Sequence, residues 1–463
     1  ESKSGSSICY TVYEFKYRNT GIEAGNIAVE IINSLVEGRE VGLSSKLQSL
    51  KQILQEECRN SLAEVKYSVP IVAITGTNGK TTTTRLIAYA LSNSGLKVGM
   101  TTTDGIYING RCIYEGDTTG PRSARMVLSS DEAAVAVLET ARGGIVREGL
   151  AYDLADVAVI TNIGDDHLGL DGIDTMEDLA KVKALVGESV KDDGYVVING
   201  DDATSISILN RLRSKLIIFS ENKDNEILRR SIKEGGFGIY IDKGCLYIEN
   251  IMDRILLMPV EDIGISYKGT LRYNTQNAMA ACGALIGFGV DPSIIRMSLE
   301  NFQCSEELNP GRFNIFDING VRVILDYGHN IDGYNSVLSG LSRMEHKKLI
   351  GVIGVPGDRL DRTTIEVGRI AGSYFDRIII KEDKDRRGRL PGEVAQLLRR
   401  GVSNAGFESS KLEIILDEVT ALEKALDYAE PGDITIIFFE EYMPLLELVK
   451  SRINSENREV VAI

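Results

Sequence analysis

A glycine turn with a lysine and two threonines lies between a short apolar run and the start of a helical pattern. The segment reads Ile71-Val-Ala-Ile-Thr-Gly-Thr-Asn-Gly-Lys-Thr-Thr82. The first turn of a helix presents free backbone N–H groups and a partial positive charge, and both suit a polyphosphate. In such a loop Lys80 contacts the β- and γ-phosphates and the Thr81 hydroxyl binds Mg²⁺. The sequence therefore predicts a phosphate-binding loop of Gly76, Thr77, Asn78, Gly79, Lys80, Thr81 and Thr82.

Two further segments place possible metal ligands at the ends of apolar strands. Glu139 ends one apolar run, and His167 follows another beside Asp165 and Asp166. Open α/β sheets bind ligands at the carboxyl ends of their strands, so both side chains are candidate metal ligands. A solvated charge or helix cap at Glu139 and a structural histidine at 167 are the alternatives.

The elements that must position these residues follow a strand–helix alternation from residue 69 onward. Apolar runs predict strands at 71–74, 97–101, 134–138, 157–161 and 195–198, with helices at 81–92 and 176–190. Such alternation is typical of a mostly parallel sheet covered on both faces. Residues 217–258 are richer in turns and predict an antiparallel appendage, and residues 274–288 predict a closely packed helix.

The ends of the chain predict two further domains. Before residue 61 we expect a strand at 9–17 and helices at 21–35 and 47–58; after residue 311 we expect strands at 321–326, 348–354, 377–381, 412–416 and 433–439. The predicted fold class is α/β with three domains. They are a small N-terminal α/β domain over 1–67, a central ATPase-like parallel-sheet domain over 68–308 and a C-terminal Rossmann-like domain over 309–463.

Composition excludes several classes of function. The chain has 463 residues, with 52 Lys and Arg against 67 Asp and Glu, a net charge of −15 that would repel a nucleic-acid backbone. No apolar run approaches the roughly 20 residues of a membrane span, so we expect no membrane partner. The six cysteines form no CxxC pair, which argues against a zinc ribbon or a disulfide framework. This cysteine pattern and the lack of a leader pattern at Glu1 predict a cytoplasmic protein.

Thr75-Gly-Thr-Asn-Gly-Lys-Thr-Thr82 resembles the variant phosphate loop of the Mur ligase superfamily, with Ile74 where the common loop has glycine. The resemblance implies that Glu139 and His167 hold a second Mg²⁺ near the γ-phosphate. It also implies a lysine carbamoylated by CO₂ on the helix after His167. Lys183 matches this position best, Lys181 is an alternative, and a plain surface lysine is the third possibility.

The resemblance extends to the nucleotide. Asn274 and Asn277 resemble the adenine-contacting pair of the family, although either amide could instead cap a helix. Arg312 resembles the family's phosphate-contacting arginine. The segment Asp326-Tyr-Gly-His329-Asn330 resembles the one in which the aspartate faces the ribose. Since these groups come from two sequence halves, we expect the C-terminal domain to close over ATP.

The implied activity is an ATP-dependent amide ligase. A substrate carboxylate would attack the γ-phosphate to give an acyl-phosphate, and an incoming amine would then displace phosphate. Residues 68–450 resemble the ligase half of cyanophycin synthetases. The shared segments are Thr101-Thr-Thr-Asp-Gly105, Gly116-Asp-Thr-Thr-Gly-Pro121, Glu139-Thr-Ala-Arg-Gly-Gly144, Gly354-Val-Pro-Gly-Asp-Arg359 and Lys381-Glu-Asp-Lys-Asp-Arg-Arg-Gly-Arg389.

As a freestanding ligase the chain is similar to archaeal pseudomurein peptide ligases, which implies an amino acid added to a nucleotide-linked peptide of the cell wall. A stand-alone cyanophycin-type ligase joining aspartate and arginine units is the alternative. A partner-dependent Mur-like subunit is a third possibility, and a folylpolyglutamate synthetase fits the shared segments less well. Asp383, Arg387 and Arg389 are candidates for reading the amino acid, because arginine binds carboxylates with two hydrogen bonds; a solvated charge run is the other interpretation.

Overall fold

The computed structural model describes residues 18–39, 42–64, 69–165, 169 and 171–461. The chain divides into two compact units, Glu1–Ser68 and Val69–Ile463. The first unit contains helices α1 (Arg18–Glu37) and α2 (Leu43–Glu64), which contain the two helices predicted there. The predicted strand at 9–17 lies outside the described residues.

The second unit contains two sheets, and the larger one has 11 strands. Its strands are β1 (Ile71–Thr75), β2 (Val98–Thr101), β3 (Gly105–Ile108), β4 (Arg111–Glu115), β5 (Val135–Glu139), β6 (Ala155–Ile160), β7 (Val190–Asn199), β8 (Lys215–Ser220), β9 (Phe237–Asp242), β10 (Cys245–Glu249) and β11 (Arg254–Pro259). Their order is β11-β10-β9-β8-β7-β6-β1-β5-β2-β3-β4. The central strands are fully buried Val, Ile and Ala runs, as a parallel sheet covered on both faces requires.

Eight helices accompany this sheet among the described residues. They are α3 (Lys80–Asn93), α4 (Pro121–Leu128), α5 (Arg142–Glu148), α6 (Met176–Glu188), α7 (Ala203–Ser207), α8 (Glu226–Lys233), α9 (Arg272–Phe288) and α10 (Pro292–Asn301). Helices α3 and α9 pack together over the middle of the sheet, and the Ala-rich α9 is buried over much of its length. Small side chains let α9 lie close to the strands beneath it.

The prediction of an antiparallel appendage over 217–258 is wrong in part. Strands β8 and β9 run parallel to β7 and extend the main sheet, and only β10 and β11 are antiparallel. The hairpin of β3 and β4 was not predicted. Because β4 is exposed along its whole length, its sequence lacks the apolar run that marks a buried strand.

The second sheet has six strands in the order β12-β13-β17-β14-β15-β16. Its strands are β12 (Asn314–Ile318), β13 (Val321–Asp326), β14 (Leu349–Ile353), β15 (Arg377–Ile380), β16 (Leu412–Ile414) and β17 (Ile434–Phe438). Its helices are α11 (Ile331–Leu341), α12 (Asp361–Tyr374), α13 (Glu393–Asn404), α14 (Glu418–Tyr428) and α15 (Tyr442–Val461). Every strand predicted in this part of the chain is present, and β12 is added at one edge. No described helix has the length and apolarity that crossing a bilayer requires.

Candidate active site

The phosphate loop joins β1 to α3 and needs glycine at two positions. Gly76 has φ 153° and Gly79 has φ 83°, which L side chains rarely adopt. A Cβ at Gly76 would lie 1.9 Å from Thr161 Oγ1, and one at Gly79 would lie 2.0 Å from Asn277 Oδ1. The two glycines thus let neighbouring polar side chains approach the loop backbone.

The segment after β6 fixes the backbone of this loop. Asn78 N donates to Asn162 Oδ1 at 2.9 Å, and Thr77 N donates to the Asn162 carbonyl at 2.9 Å. Thr161 Oγ1 and Asn162 Nδ2 both donate to the Asn78 carbonyl, at 2.6 and 3.1 Å. The loop is therefore preformed by protein contacts, with α3 beginning at Lys80.

Glu139 ends β5 directly beside β1, where Ile74 is its register partner. Its side chain is 2% exposed. Glu139 Oε1 accepts from Thr81 Oγ1 at 3.2 Å and from Thr103 Oγ1 at 3.1 Å. Burial raises the pKa of Glu139, while the positive charges of Lys80 and Arg312 act to lower it. A buried carboxylate beside a threonine hydroxyl offers the oxygen ligands that Mg²⁺ prefers.

The structure separates the two candidate lysines of α6. Lys183 is 4% exposed, and its Nζ lies 3.2 Å from Thr77 Oγ1 in the phosphate loop. Lys181 is 49% exposed and pairs with Glu177 at 2.8 Å on the helix surface. Of these two lysines, only Lys183 lines the cleft. Its carbamoylation stays a prediction.

The metal ligands predicted from sequence are only partly described. His167 lies outside the described residues, and within the described part of the chain no three His, Cys, Asp or Glu side chains converge. The Glu139 carboxylate and the Thr81 hydroxyl do lie together, and their oxygens fit a divalent cation bound next to a phosphate chain.

Residues before and within the second sheet reach the phosphate loop. Arg312 Nη2 donates to Thr81 Oγ1 at 3.2 Å, and Asn309 Nδ2 donates to Thr82 Oγ1 at 3.2 Å. The Arg312 guanidinium lies 4.5 Å from the centre of the Tyr327 ring. Its Nε is buried without a hydrogen-bond partner among the described residues. A buried cation with a spare donor beside the loop suits an anionic ligand such as a phosphate.

Asn78 and Asn330 form a reciprocal amide pair between the phosphate loop and the second sheet. Asn78 Nδ2 donates to Asn330 Oδ1 at 3.3 Å, and Asn330 Nδ2 donates to Asn78 Oδ1 at 3.1 Å. Asn330 Oδ1 also accepts from Gly333 N at 2.8 Å and so caps α11. The start of α11 is therefore fastened directly to the phosphate loop.

Asp326 ends β13 and is held by backbone donors. Its carboxylate accepts from Phe313 N at 2.9 Å and Gly328 N at 2.8 Å. Burial raises the pKa of Asp326 to about 6, although Arg312 and the two N–H donors act to lower it. His329 lies next to it in the cleft wall, with Nδ1 3.0 Å from the Tyr327 carbonyl.

The two asparagines at the start of α9 are buried and bonded to each other. Asn277 Nδ2 donates to Asn274 Oδ1 at 3.1 Å, and Asn274 Nδ2 contacts Cys304 Sγ at 3.6 Å. Both line the cleft, and Asn277 Oδ1 packs against Gly79. Their contact with adenine stays a prediction.

The three candidates for reading the amino acid are placed differently. Arg387 lines the cleft and pairs with Asp358. Asp383 is 11% exposed and bonded to Lys381, outside the cleft lining. Arg389 donates to the carbonyls of Gly357 and Arg359 at 2.7 and 2.8 Å, and it also does not line the cleft. Arg389 thus fastens a loop.

The residues described above as lining the cleft surround one cavity of about 690 Å³ between the two sheets. Several further polar residues line it that the sequence analysis did not assign: Thr103, Asp117, Thr119, Arg142, Arg147, Asp358 and Arg359. Most of them belong to the glycine-rich segments that follow β2, β4, β5 and β14. Position at the carboxyl end of a parallel strand was the signal that could have found Thr103 and Asp358.

Two family models match the chain, the Mur ligase middle domain over residues 74–285 and the Mur ligase glutamate ligase domain over residues 311–438. A cyanophycin synthetase of Synechocystis is 43% identical over 389 residues, covering 83% of this chain and 44% of that protein. The chain thus spans less than half the length of the cyanophycin synthetases it matches.

More distant relatives match over more of their own length. A UDP-N-acetylmuramoyl-L-alanyl-D-glutamate–2,6-diaminopimelate ligase of Syntrophomonas wolfei is 28% identical, covering 96% of this chain and 88% of that protein. The solved pseudomurein peptide ligase type C of Methanothermus fervidus is 20% identical with a TM-score of 0.58, covering 88% of this chain and 84% of that one. These matches agree with the resemblance seen in the sequence: the chain belongs to the Mur ligase family and contains its middle domain and its glutamate ligase domain.

Proposed function

We propose that the chain joins the amine of an amino acid to the carboxylate of a peptide-like acceptor, with ATP as the energy source and an acyl-phosphate as the intermediate. The observation that carries the proposal is the convergence of Lys80, Glu139, Lys183 and Arg312 on one cleft. Two cations, one buried carboxylate and one buried amine around a phosphate loop match the needs of phosphoryl transfer.

In the first step an acceptor carboxylate oxygen attacks the γ-phosphorus of ATP, and the bond to the ADP oxygen breaks. Lys80 and Arg312 stabilise the negative charge that spreads over the transferred phosphoryl oxygens. Mg²⁺ supplies charge neutralisation when bound, and the Thr81 hydroxyl would hold the ion beside the β- and γ-phosphates. We propose Glu139, His167 and a carbamoylated Lys183 as ligands of a second Mg²⁺.

In the second step the amine nitrogen attacks the acyl carbon, phosphate leaves and the amine loses a proton. The acyl-phosphate is destroyed by water, so the two sheets must enclose it. The direct contacts of Asn309, Arg312 and Asn330 with the phosphate loop support such an enclosed state. Asp326, His329, Asn274 and Asn277 are proposed to hold the nucleoside of ATP.

The sequence likeness favours an acceptor and amine of the aspartate–arginine kind, because identity with the Synechocystis cyanophycin synthetase is 43% over 83% of the chain. A nucleotide-linked peptide precursor of the cell wall is the second candidate. It is supported by the fold of a pseudomurein peptide ligase at 20% identity. Under both candidates the substrates are small-molecule amino acids and a peptide acceptor. A cytoplasmic location stays a prediction.

The test is ATP-dependent phosphate release with Mg²⁺, using β-Asp-Arg peptides and nucleotide-linked wall peptides as acceptors against a panel of amino acids. Mass spectrometry identifies each product. We expect an aspartate–arginine acceptor to become one amino acid heavier. Product only from wall peptides would replace the first candidate with the second. Absence of product with every combination of acceptor and amino acid would contradict the proposal for the isolated chain and favour a partner-dependent subunit.

A further inference from the structure

Lys381 is a buried charged residue that the proposed chemistry does not use. It follows β15 at the carboxyl edge of the second sheet and is 1% exposed. Its Nζ lies 2.7 Å from Asp383 Oδ1 and 2.6 Å from Glu418 Oε2. Burial alone would lower the pKa of Lys381, but the two carboxylates outweigh it and raise the pKa. The lysine therefore stays charged at neutral pH.

Glu418 extends this contact to a second loop. It is the first residue of α14, and its Oε2 accepts from Glu440 N at 2.7 Å. Its Oε1 accepts from Glu441 N at 3.1 Å. One carboxylate thus joins the Lys381 ammonium to the loop that follows β17. We call Lys381, Asp383 and Glu418 the lysine junction.

The stem of Lys381 supports a third loop. A Cβ at Gly354 would lie 2.5 Å from Lys381 Cε, so the loop after β14 packs on the lysine stem. Further along, a Cβ at Gly357 would lie 2.1 Å from the Arg386 carbonyl oxygen of the loop after β15. Glycine at both positions allows the loops after β14 and β15 to touch.

The cleft residues opposite the phosphate loop belong to these same loops. Asp358 and Arg359 follow β14, and Arg387 follows β15; all three line the cleft. Arg387 pairs with Asp358 and has φ 48°, an unusual backbone conformation for a residue with a side chain. Surrounding contacts must maintain such a conformation, and residues held in this way cluster at ligand sites.

We propose that Lys381 is a positioning residue of the amine subsite. Its ammonium holds the loops after β14, β15 and β17 together, so that Asp358, Arg359 and Arg387 face the incoming amino acid. The inference rests on the proposed ligase function, because it assigns these loops to the amine. Lys381 itself touches no substrate.

The main variant is Lys381→Met, which keeps the length of the stem and removes the charge. Asp383 and Glu418 then face each other without a cation, and we expect the loops after β15 and β17 to loosen. The KM for the amino acid should rise about tenfold or more, a change that corresponds to about 1.4 kcal/mol of lost binding. The Kd for ADP should stay within about twofold, because the contacts described for the lysine junction are with the loops after β14, β15 and β17.

Lys384→Met is the matched control. Lys384 lies in the same loop, is 64% exposed and pairs with Glu441 at the surface. The same substitution there should leave the KM for the amino acid unchanged. A general loss of charge in the loop would instead affect both variants alike.

A second variant covers the case in which Lys381→Met fails to fold. Glu418→Gln removes one of the two negative charges and keeps the side-chain shape, and we expect a smaller rise in the same KM. Adding Glu418→Gln to Lys381→Met relieves the repulsion between the carboxylates and should recover part of the loss. Absence of any recovery in a folded double variant would contradict the electrostatic basis of the inference.

Hydrogen–deuterium exchange tests the inference without a substrate. In Lys381→Met, or in Glu418→Gln if the first does not fold, amide exchange should accelerate in residues 382–392 and 439–441, with the phosphate loop unchanged. Unchanged exchange in those loops, or an unchanged KM for the amino acid, would overturn the inference. Failure of the proposed function looks different, because the unaltered chain would then form no product with any amine.

Discussion

The two walls of the cleft are held by different kinds of contact. The phosphate-loop wall is held by short bonds between backbone groups and the uncharged side chains of Thr161 and Asn162. We call this side the phosphate wall, and we call the opposite side, formed by the loops after β14 and β15, the amine wall. The amine wall is held by ion pairs at the lysine junction and between Arg387 and Asp358. Neutral hydrogen bonds keep their strength as salt is added, whereas partly exposed ion pairs such as Arg387–Asp358 are weakened. The two walls should therefore respond differently to the loss of a charge.

Loss of the phosphate-loop cation should have the largest effect. Lys80→Ala is expected to lower kcat by about 10²–10³-fold or more, since a positioned charge that stabilises the transition state is removed. Lys97→Ala, at an exposed position before β2, is the control. The measurement is phosphate release, with circular dichroism to establish folding. Normal turnover in folded Lys80→Ala would contradict a catalytic role for Lys80.

The two lysines of α6 offer a matched pair. Lys183→Met should raise the Mg²⁺ concentration that gives half the maximal rate by about 10- to 100-fold. Loss of a group that supports a metal site commonly lowers metal affinity by this factor. Lys181→Met should change it little, because Lys181 lies on the surface in a pair with Glu177. The check is a Mg²⁺ titration of the rate, with intact-mass measurement of bound CO₂. Equal effects in both variants would contradict the assignment of Lys183.

Arg387 tests the amine wall in the same way. Arg387→Gln is expected to raise the KM for the amino acid by about 10- to 100-fold, the range for hydrogen bonds to charged groups of about 1.5–3 kcal/mol. Arg386→Gln is the neighbouring control, since Arg386 is 44% exposed and does not line the cleft. Steady-state kinetics should place the change in KM and leave the KM for ATP intact. A rise in the KM for ATP alone would indicate that Arg387 contacts ATP and not the amino acid.

The smallest expected effect is on the pH dependence of stability. Burial raises the pKa of Asp326 to about 6 in the folded chain. Between its unfolded pKa of about 4 and pH 6 the folded state binds more protons than the unfolded state, so this group lowers stability as pH rises. Asp326→Asn should remove that slope while costing some stability through one lost N–H acceptor. Urea unfolding at several pH values measures both, and an unchanged slope would count against the raised pKa.

The sequence predicted the phosphate wall better than the amine wall. A local pattern of Gly, Lys and Thr between a strand and a helix determines the loop, and no distant residue is needed to recognise it. A strand end likewise indicated Glu139, whereas Asp326 was indicated by the resemblance to the Mur ligases. The charge of Arg389 is visible in the sequence, but its bonds to the carbonyls of Gly357 and Arg359 are not, because those residues belong to a distant loop. Lys381 was missed because its partner Glu418 lies 37 positions away in the chain.

The edges of the fold were predicted less well than its centre. Buried parallel strands such as β1 and β5 are continuous apolar runs, and their periodicity is unambiguous. Strand β9 was assigned to an antiparallel appendage because strand direction depends on its partner, β8, and leaves no mark in the residues themselves. In the hairpin of β3 and β4, β3 is a largely buried run of only four residues and β4 is exposed throughout, so neither strand gives a strong pattern.

The amide pair between Asn78 and Asn330 carries no net charge, and this has a consequence for ionic strength. Added salt screens charges at exposed positions, such as the pair between Lys384 and Glu441, and acts far less on bonds between uncharged amides. Raising the salt concentration should therefore weaken exposed pairs such as Lys384–Glu441 first, while the start of α11 stays attached to the phosphate loop.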